Sequence, residues 1–419
     1  MKTKDDWITA EQAAHLLGVT RSTLYAYVSR GLVRSEQAIG TQRRRYRRHA
    51  VERLALERER ARNPAMVARA SLDWGRPVLN SELTLIEDGC LYYRGRDAIE
   101  FARHATLEAA AALLIGCDPF DDDATPLPRA DAATLRAMTR MDTIQGCTAA
   151  FSWLHGLALE EETRSSIPAR CSLLLRLMTA VVARQPCTRL PAHQQLARSW
   201  KLDDRGTELV RQALVLCADH ELNASSFAAR CVASTGASLG ACVTAGLAAL
   251  SGSRHCGITT AIESLWDLAP SAGRRPAAIA RAIDHCLGAH VQWATDRVPS
   301  GFGHPLYPDG DPRARALLEE LPRAHRHERL LSAIHERSGL RPSIDYALVA
   351  LRRSLGLPEG HAYLIFALGR TVGWLAHAIE QGRSDVLIRP RAAYNGPRPP
   401  HDTDRVTPSP LPSRIIRRR

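Results

Sequence analysis

Apolar residues recur three and four positions apart over most of residues 64–396, in Ala-rich and Leu-rich stretches. That spacing lines one face of an α-helix, and clean period-two alternation is nearly absent, so the pattern predicts an all-α chain. Helices are separated by Gly/Pro/Asp breaks at 116–128, 251–257, 299–312 and 356–360. One exception is Leu83 to Tyr93, where Asp88-Gly89 interrupts two short apolar runs and predicts a small hairpin. Cys231 to Leu250 runs 20 residues without a charge. It is long enough to cross a bilayer, but its Gly, Ala, Ser, Thr and Cys content insert weakly, so a tightly packed buried helix is expected and no membrane contact. No internal repeat is present.

The first 63 residues have their own pattern. Thr9 and Gln12 make a capping-box start, and Ala13, Ala14, Leu16 and Leu17 give a short helix an apolar face. Gly18-Val19-Thr20 forms a turn, a second helix spans about Arg21 to Arg30 and stops at Gly31, and a third runs from about His49 to Asn63-Pro64. Between them lies the basic segment Thr41-Gln42-Arg43-Arg44-Arg45-Tyr46-Arg47-Arg48.

Charge sharpens this division. The 419 residues carry 56 Lys+Arg against 44 Asp+Glu, a net +12, but the excess sits at the ends. Residues 1–63 hold 14 basic and 7 acidic side chains, and residues 397–419 hold 6 and 2, so the body is close to neutral. Basic ends on a neutral body point to polyanion contact through the ends. The segment 397–419 contains six prolines and is expected to be an extended, mobile arm. Ten scattered cysteines with no CxxC pair argue against zinc and against a disulfide framework. Met1-Lys2-Thr3-Lys4-Asp5-Asp6 has no apolar signal core, so the expected location is cytoplasmic.

Two short helices joined by a Gly-containing turn have helix-turn-helix geometry. The second helix would present Arg21, Ser22, Thr23 and Tyr27 to a major groove, while Arg43, Arg44, Arg45, Arg47 and Arg48 on a flanking hairpin would neutralise phosphates. The unit resembles the MerR/excisionase-type winged helix-turn-helix. The resemblance rests on Ile8 through Val19, Thr23-Leu24-Tyr25, Gly31-Leu32 and Arg44-Arg45-Tyr46-Arg47. The alternative is a three-helix appendage whose arginines form a solvated face.

Polar clusters punctuate the body: Asp219-His220-Glu221-Leu222-Asn223-Ala224-Ser225, then Ser253-Arg254-His255-Cys256-Gly257. Further on come Gly301-Phe302-Gly303-His304 with Asp311-Pro312-Arg313, then Ser343-Ile344-Asp345-Tyr346, Gly369 through His377, and Leu387-Ile388-Arg389-Pro390-Arg391. A carboxylate can remove a proton beside a thioester carbonyl, neutral imidazoles can donate to an enolate or a ketone, and several guanidinium groups suit a substrate with two carboxylates. The inventory fits carbon–carbon condensation onto a keto-diacid.

From about residue 70 to 396 the chain resembles citrate synthase. Leu91-Tyr92-Tyr93-Arg94-Gly95, His220 through Ser225, Gly301 through His304, Asp311 through Ala314, Gly373-Trp374-Leu375-Ala376-His377 and Ile388-Arg389-Pro390-Arg391 carry the resemblance, in the family's order. It implies an all-helical homodimer with a large domain and a small domain, the latter near 258–362, and a site in the cleft between them. It implies that His255 donates to the thioester carbonyl of acetyl-CoA, Asp345 takes the methyl proton, and His304 polarises the ketone of oxaloacetate. His220, Arg313 and Arg370 would bind oxaloacetate, and Arg389 would reach the partner subunit's site. No metal or redox cofactor is implied, only acyl-CoA as co-substrate. Departures from the family's usual wording are Cys256, Ile258 and Thr259 after the site histidine, Pro305 after His304, and Tyr346 after Asp345. Cys256 beside His255 also raises a Cys–His dyad, although neighbours on a turn generally diverge. The alternatives are propionyl-CoA as co-substrate, giving 2-methylcitrate, and a DNA-binding regulator that uses the synthase body as a metabolite sensor.

Overall fold

The structure, a computed structural model, describes residues 7–29, 32–33, 35–37, 44–48, 50–51, 54–55, 79–118, 120, 127, 132–138, 143–271, 291–293, 296–298, 301–322, 327–384, 386–392 and 394–397. The chain opens with strand β1 (Trp7–Thr9), and Thr9 caps helix α1 (Ala10–Leu17) in the anticipated box: the Gln12 N–H donates to Thr9 Oγ1 and the Thr9 N–H donates to Gln12 Oε1. Gly18 ends α1 at φ 58°, where a side chain would be strained. Helix α2 (Arg21–Ser29) follows, then strands β2 (Ser35–Gln37) and β3 (Arg44–Arg47). The strands form an antiparallel sheet in the order β1-β3-β2, so the flanking basic hairpin is present. Ile8 pairs with Tyr46 and both are buried, while Trp7, Arg45 and Arg47 take the other face. With Leu24, Val33 and Val51 these residues make a small core separate from that of the body. Residues 48, 50–51 and 54–55 are helical; the rest of the expected third helix, and the arm 398–419, lie outside the described residues.

The body begins with a meander, β4 (Thr84–Glu87), β5 (Cys90–Tyr93) and β6 (Arg96–Asp97), which turns at Asp88-Gly89 as the alternation predicts. Helices α3 (Ala98–Ala102), α4 (Leu107–Ile115), α5 (Ala132–Met138), α6 (Thr143–Leu157), α7 (Leu159–Arg164) and α8 (Ile167–Ala183) follow. Next come α9 (Ala192–Trp200), α10 (Asp204–Leu216), α11 (Ala224–Ala233), α12 (Leu239–Leu250) and, after a one-turn 3₁₀ helix at Cys256–Ile258, α13 (Thr259–Ser271). A short hairpin of β7 (Val291–Trp293) and β8 (Asp296–Val298), which no alternation announces, precedes α14 (Pro312–Glu320), α15 (Glu328–Ser338), α16 (Ile344–Ser354) and α17 (His361–Gly382).

The uncharged run 231–250 is not the single helix expected. It breaks between α11 and α12, where Ser234 and Thr235 donate back to the Cys231 and Val232 carbonyls and Gly236 takes φ 79°. Ser238 then caps α12 by accepting from the Ala241 N–H. Among the described residues α17 is the helix long and apolar enough to span a bilayer, and its apolar window is wholly buried inside the protein. It is the axis of the body. Each of its buried Leu, Ile, Val and Phe side chains contributes about 1.5–3 kcal/mol relative to exposure. Glycines let neighbours close on it. A Cβ at Gly369 would lie 2.6 Å from the Leu214 carbonyl oxygen of α10, and one at Gly246 of α12 would lie 2.4 Å from the Trp374 ring.

Candidate active site

The site grows from the close approach of α17 to the stretch after α10. The Gly373 N–H, inside the helix, donates to the Ala218 carbonyl at 2.9 Å, and a Cβ at Gly373 would sit 2.4 Å from Asp219 Oδ1. One turn earlier, Arg370 Nε donates to the Cys217 carbonyl at 2.9 Å, and its guanidinium lies over the Phe366 ring at 4.8 Å. Arg370 is 1% exposed, yet its Nη2 has no hydrogen-bond partner. A buried, uncompensated guanidinium edge is costly unless an anion completes it. His220 follows directly after the pinned stretch, and Asn223 caps α11 by accepting from the Ser225 and Ser226 N–H groups.

A second loop brings His304. Gly301 and Gly303 adopt φ 85° and 72°, and the Ser343 N–H and Gly303 N–H bond to the Gly301 and Arg341 carbonyls, zipping the loop to the entry of α16. The Leu306 N–H donates to His304 Nδ1 at 3.2 Å, so a neutral His304 carries its hydrogen on Nε2. The His304 and His220 rings stand edge to face with centroids 4.9 Å apart, and Tyr307 closes the triangle with its hydroxyl 2.9 Å from His220 Nε2.

Asp311 joins this loop to the helices. It caps α14, receives Arg313 Nε and Nη2 at 3.0 and 2.8 Å, and accepts from the Ile344 N–H at 3.1 Å. The two-point grip leaves Arg313 Nη1 for a ligand and fixes the start of α16, where Asp345 is the next residue. Ser343 Oγ donates to Asp345 at 3.3 Å. His255 opens the 3₁₀ turn with Nε2 2.9 Å from Ser225 Oγ, and its ring meets the edge of Phe366 at 6.0 Å. Phe366 thus lies between His255 and Arg370.

Burial decides the protonation states. It lowers His255 to about 3, with Arg370 adding to the effect, and His304 to about 4, with Arg313 adding and Asp311 opposing. His220 falls well below its ordinary value through burial, then Arg313, His304 and Arg370. All these imidazoles are neutral near pH 7 and act as hydrogen-bond partners, not cations. Asp345 shifts the other way: burial raises it, Arg313 opposes, and Asp311 adds to the rise. The Cys256 thiol is buried and pushed well above its ordinary value, first by burial and then by Asp345, so it offers no thiolate.

His220 and His304 therefore meet ring to ring, the charges of Arg313 and Arg370 both reach His220, that of Arg370 also reaches His255, and that of Arg313 also reaches Asp345. Residues 71–391 match the family described as "Citrate synthase, C-terminal domain". The chain belongs to the citrate synthase family. A citrate synthase of Mycolicibacterium smegmatis is 27% identical over 347 residues, 74% of this chain and 90% of that protein. A 2-methylcitrate synthase of Corynebacterium glutamicum is 30% identical over 195 residues, 44% of this chain and 48% of that one. The solved citrate synthase of Thermoplasma acidophilum, a ternary complex with carboxymethyl coenzyme A and oxaloacetate, superposes with a TM-score of 0.65 at 22% identity, covering 79% of this chain and 97% of that one. Residues 7–59 match a family described as "Helix-turn-helix domain".

Within this member of the citrate synthase family, Arg389 stands apart. It is exposed, follows Ile388, whose N–H donates to Ser234 Oγ at the α11–α12 junction, and meets none of the other site residues among those described. Tyr307, Asp311 and Ser225 belong to the site although the sequence reading gave them no role. The available signal was Asp311-Pro312, an N-cap followed by Pro at the first helical position. In the N-terminal unit α2 exposes Arg21, Ser22 and Tyr25, with Arg21 ion-paired to Glu11 at 3.1 Å. Thr23 is half-buried and bonds Thr20. Tyr27 is half-buried and packs against the small core, while Tyr25, two residues earlier, is the exposed aromatic of this helix. Arg45 and Arg47 lie over the Trp7 ring at 4.5 and 4.8 Å, and Arg44 donates to Ser35 Oγ. Arg43 lies outside the described residues.

Proposed function

We propose that this protein condenses acetyl-CoA with oxaloacetate and hydrolyses the product thioester to citrate and CoA. The observation that carries the reading is a carboxyl raised by burial, Asp345, within the field of Arg313 and Asp311, the same pair that acts on the neutral His304. Arg313, Arg370 and His220 take the oxaloacetate carboxylates. Asp345 removes a proton from the acyl methyl group, and the electron pair moves onto the thioester oxygen, where His255 Nδ1–H receives it with a hydrogen bond. For this the Ser225 hydroxyl, which in the structure donates to Asn223 Oδ1 at 2.7 Å, turns its hydrogen to His255 Nε2. The enolate carbon attacks the oxaloacetate ketone, and His304 Nε2–H passes its proton to the new alkoxide. Water then cleaves citryl-CoA. Closure of the 258–362 subdomain over the cleft would keep water out until the carbon–carbon bond exists. Arg389 is assigned to the partner's site in a homodimer. Propionyl-CoA is the competing co-substrate, and Cys256, Ile258 and Thr259 are the residues that would admit its extra methyl group. A thiol-release assay with oxaloacetate and a panel of acyl-CoA esters tests both: the highest kcat/KM falls on acetyl-CoA, and the reading fails if no ester releases CoA in an oxaloacetate-dependent way.

The pH dependence follows from the same groups. Asp345 must be ionised to act, and its carboxyl is raised above the ordinary 3.8, so the rate falls on the acid side at a higher pH than an exposed aspartate would give. The imidazoles, already neutral, add no limb near their ordinary 6.5. Measured kcat should show a single acid limb; a flat profile down to pH about 4 would contradict the assignment.

The N-terminal unit supports a second activity, contact with duplex DNA. The arginines stacked on Trp7 and the exposed Arg21, Ser22 and Tyr25 of α2 are the observations that favour it. Replacing Arg45 and Arg47 by Ala in the full chain should reduce the steepness of log K against log salt by about 2, close to one unit per lost phosphate contact. An unchanged slope, or no DNA binding at low salt, removes this reading.

A further inference from the structure

Behind the carboxylate-binding side of the site lies a polar cluster that the chemistry above leaves unused. Asp219 is fully buried between α17 and the β4–β5 hairpin. Thr84 Oγ1 donates to its Oδ2 at 2.5 Å, and His377 Nε2 lies 3.3 Å from its Oδ1. His377 is 0% exposed, and apart from this 3.3 Å approach neither its ring nitrogens nor Asp219 Oδ1 has a hydrogen-bonding partner. The Tyr93 hydroxyl touches both the N–H and the carbonyl of Asp219, at 3.4 and 3.3 Å. Burial would raise the Asp219 carboxyl, but His377, Arg370 and Thr84 together hold it below its ordinary value.

The placement is specific. Arg370, Gly373 and His377 are three and four residues apart and share one face of α17. Only the missing side chain of Gly373 lets Asp219 fit against that face. Asp219 is also the residue before His220 and two after Cys217, whose carbonyl takes Arg370 Nε. One carboxylate is therefore tied to His220 and Arg370, two of the three groups assigned to oxaloacetate.

We propose that Asp219, held by His377 and Thr84, is the positioning residue of the oxaloacetate grip. His377 donates from Nε2 to Asp219 Oδ1, and this contact holds the Cys217–His220 stretch and Arg370 in the arrangement that receives two carboxylates. The inference rests on the reading of His220 and Arg370 as oxaloacetate binders. Without the donor, the buried carboxylate loses its partner and the stretch shifts away from α17.

The test uses the full chain and measures oxaloacetate binding by calorimetry, alongside KM for each substrate, in His377→Leu, His377→Gln and Thr84→Val. His377→Leu should weaken oxaloacetate binding by about 10-fold, the scale of one lost buried partner, and raise its KM alike, with KM for acyl-CoA little changed. Gln, which keeps a donor, should restore binding to within about threefold. A folded His377→Leu that binds like the wild type, or that loses affinity for both substrates equally, overturns the proposal, as does failure of Gln to rescue. If His377→Leu does not fold, Thr84→Val decides: weaker oxaloacetate binding supports the proposal and unchanged binding overturns it. A wild type that binds oxaloacetate but releases no CoA refutes the condensation reading while calorimetry still scores this one; a wild type that binds no oxaloacetate refutes both.

Discussion

Replacing Asp345 by Asn should lower kcat by about 10³-fold, the usual worth of a positioned general base, while oxaloacetate binding stays close to that of the wild type. The separation follows from the geometry. Asp345 opens α16 beside Ser343, whereas the carboxylate-binding arginines lie on α14 and α17. Asn preserves the shape and the ability to accept from Ser343 Oγ, but it cannot take a proton from a methyl group. The acid limb should vanish with the base, since the group that titrates is gone. Thiol release and calorimetry on the same preparation check both halves. Residual activity within about tenfold of the wild type would mean that another group removes the proton.

Replacing Asp311 by Ala should destabilise the body by about 3–5 kcal/mol, because it strands the Arg313 charge in the interior. Both partners are nearly inaccessible, 3% exposed for Asp311 and 2% for Arg313. The same carboxylate also caps α14 and holds the Ile344 N–H, so α14 and α16 lose a shared anchor. Burial alone would raise the Asp311 carboxyl, yet Arg313 holds it below its ordinary value. Its contribution to stability is thus present at neutral pH and is lost as pH falls through the folded-state value. Urea or thermal unfolding of the variant measures the loss. The double variant Asp311→Leu with Arg313→Met should recover much of that stability, since no charge is left unpaired. It should not recover oxaloacetate binding. A double variant that binds oxaloacetate normally would show that Arg313 is only structural.

Local signals in the sequence were read well where the physics is local. Thr9 with Gln12, Gly18 at the end of α1 and Asp88-Gly89 in the hairpin all act within a few residues, and each appears where the pattern puts it. His220, His304, Arg313 and Arg370 could be named as candidates because the motifs that carry them hold their order along the chain. The failures share a cause. The break at 234–238 depends on hydroxyls choosing their own helix carbonyls over continued helix, which hydropathy does not register. Tyr25, which the reading gave no place in the groove, is the exposed aromatic of α2, a nine-residue helix too short for apolar spacing to fix the phase. Asp219 and His377 meet only because Gly373 and Gly369 let α17 lie against the stretch after α10. That contact is a property of the packed body and leaves no mark on either local sequence.

The most direct test is a crystal structure of the full chain with oxaloacetate and a non-hydrolysable acetyl-CoA analogue. The ketone oxygen should lie within hydrogen-bond reach of His304 Nε2, the carboxylates on Arg313 and Arg370, and the acyl methyl beside Asp345. A keto-diacid bound elsewhere, or an acyl group facing away from residues 255 and 345, would contradict the account.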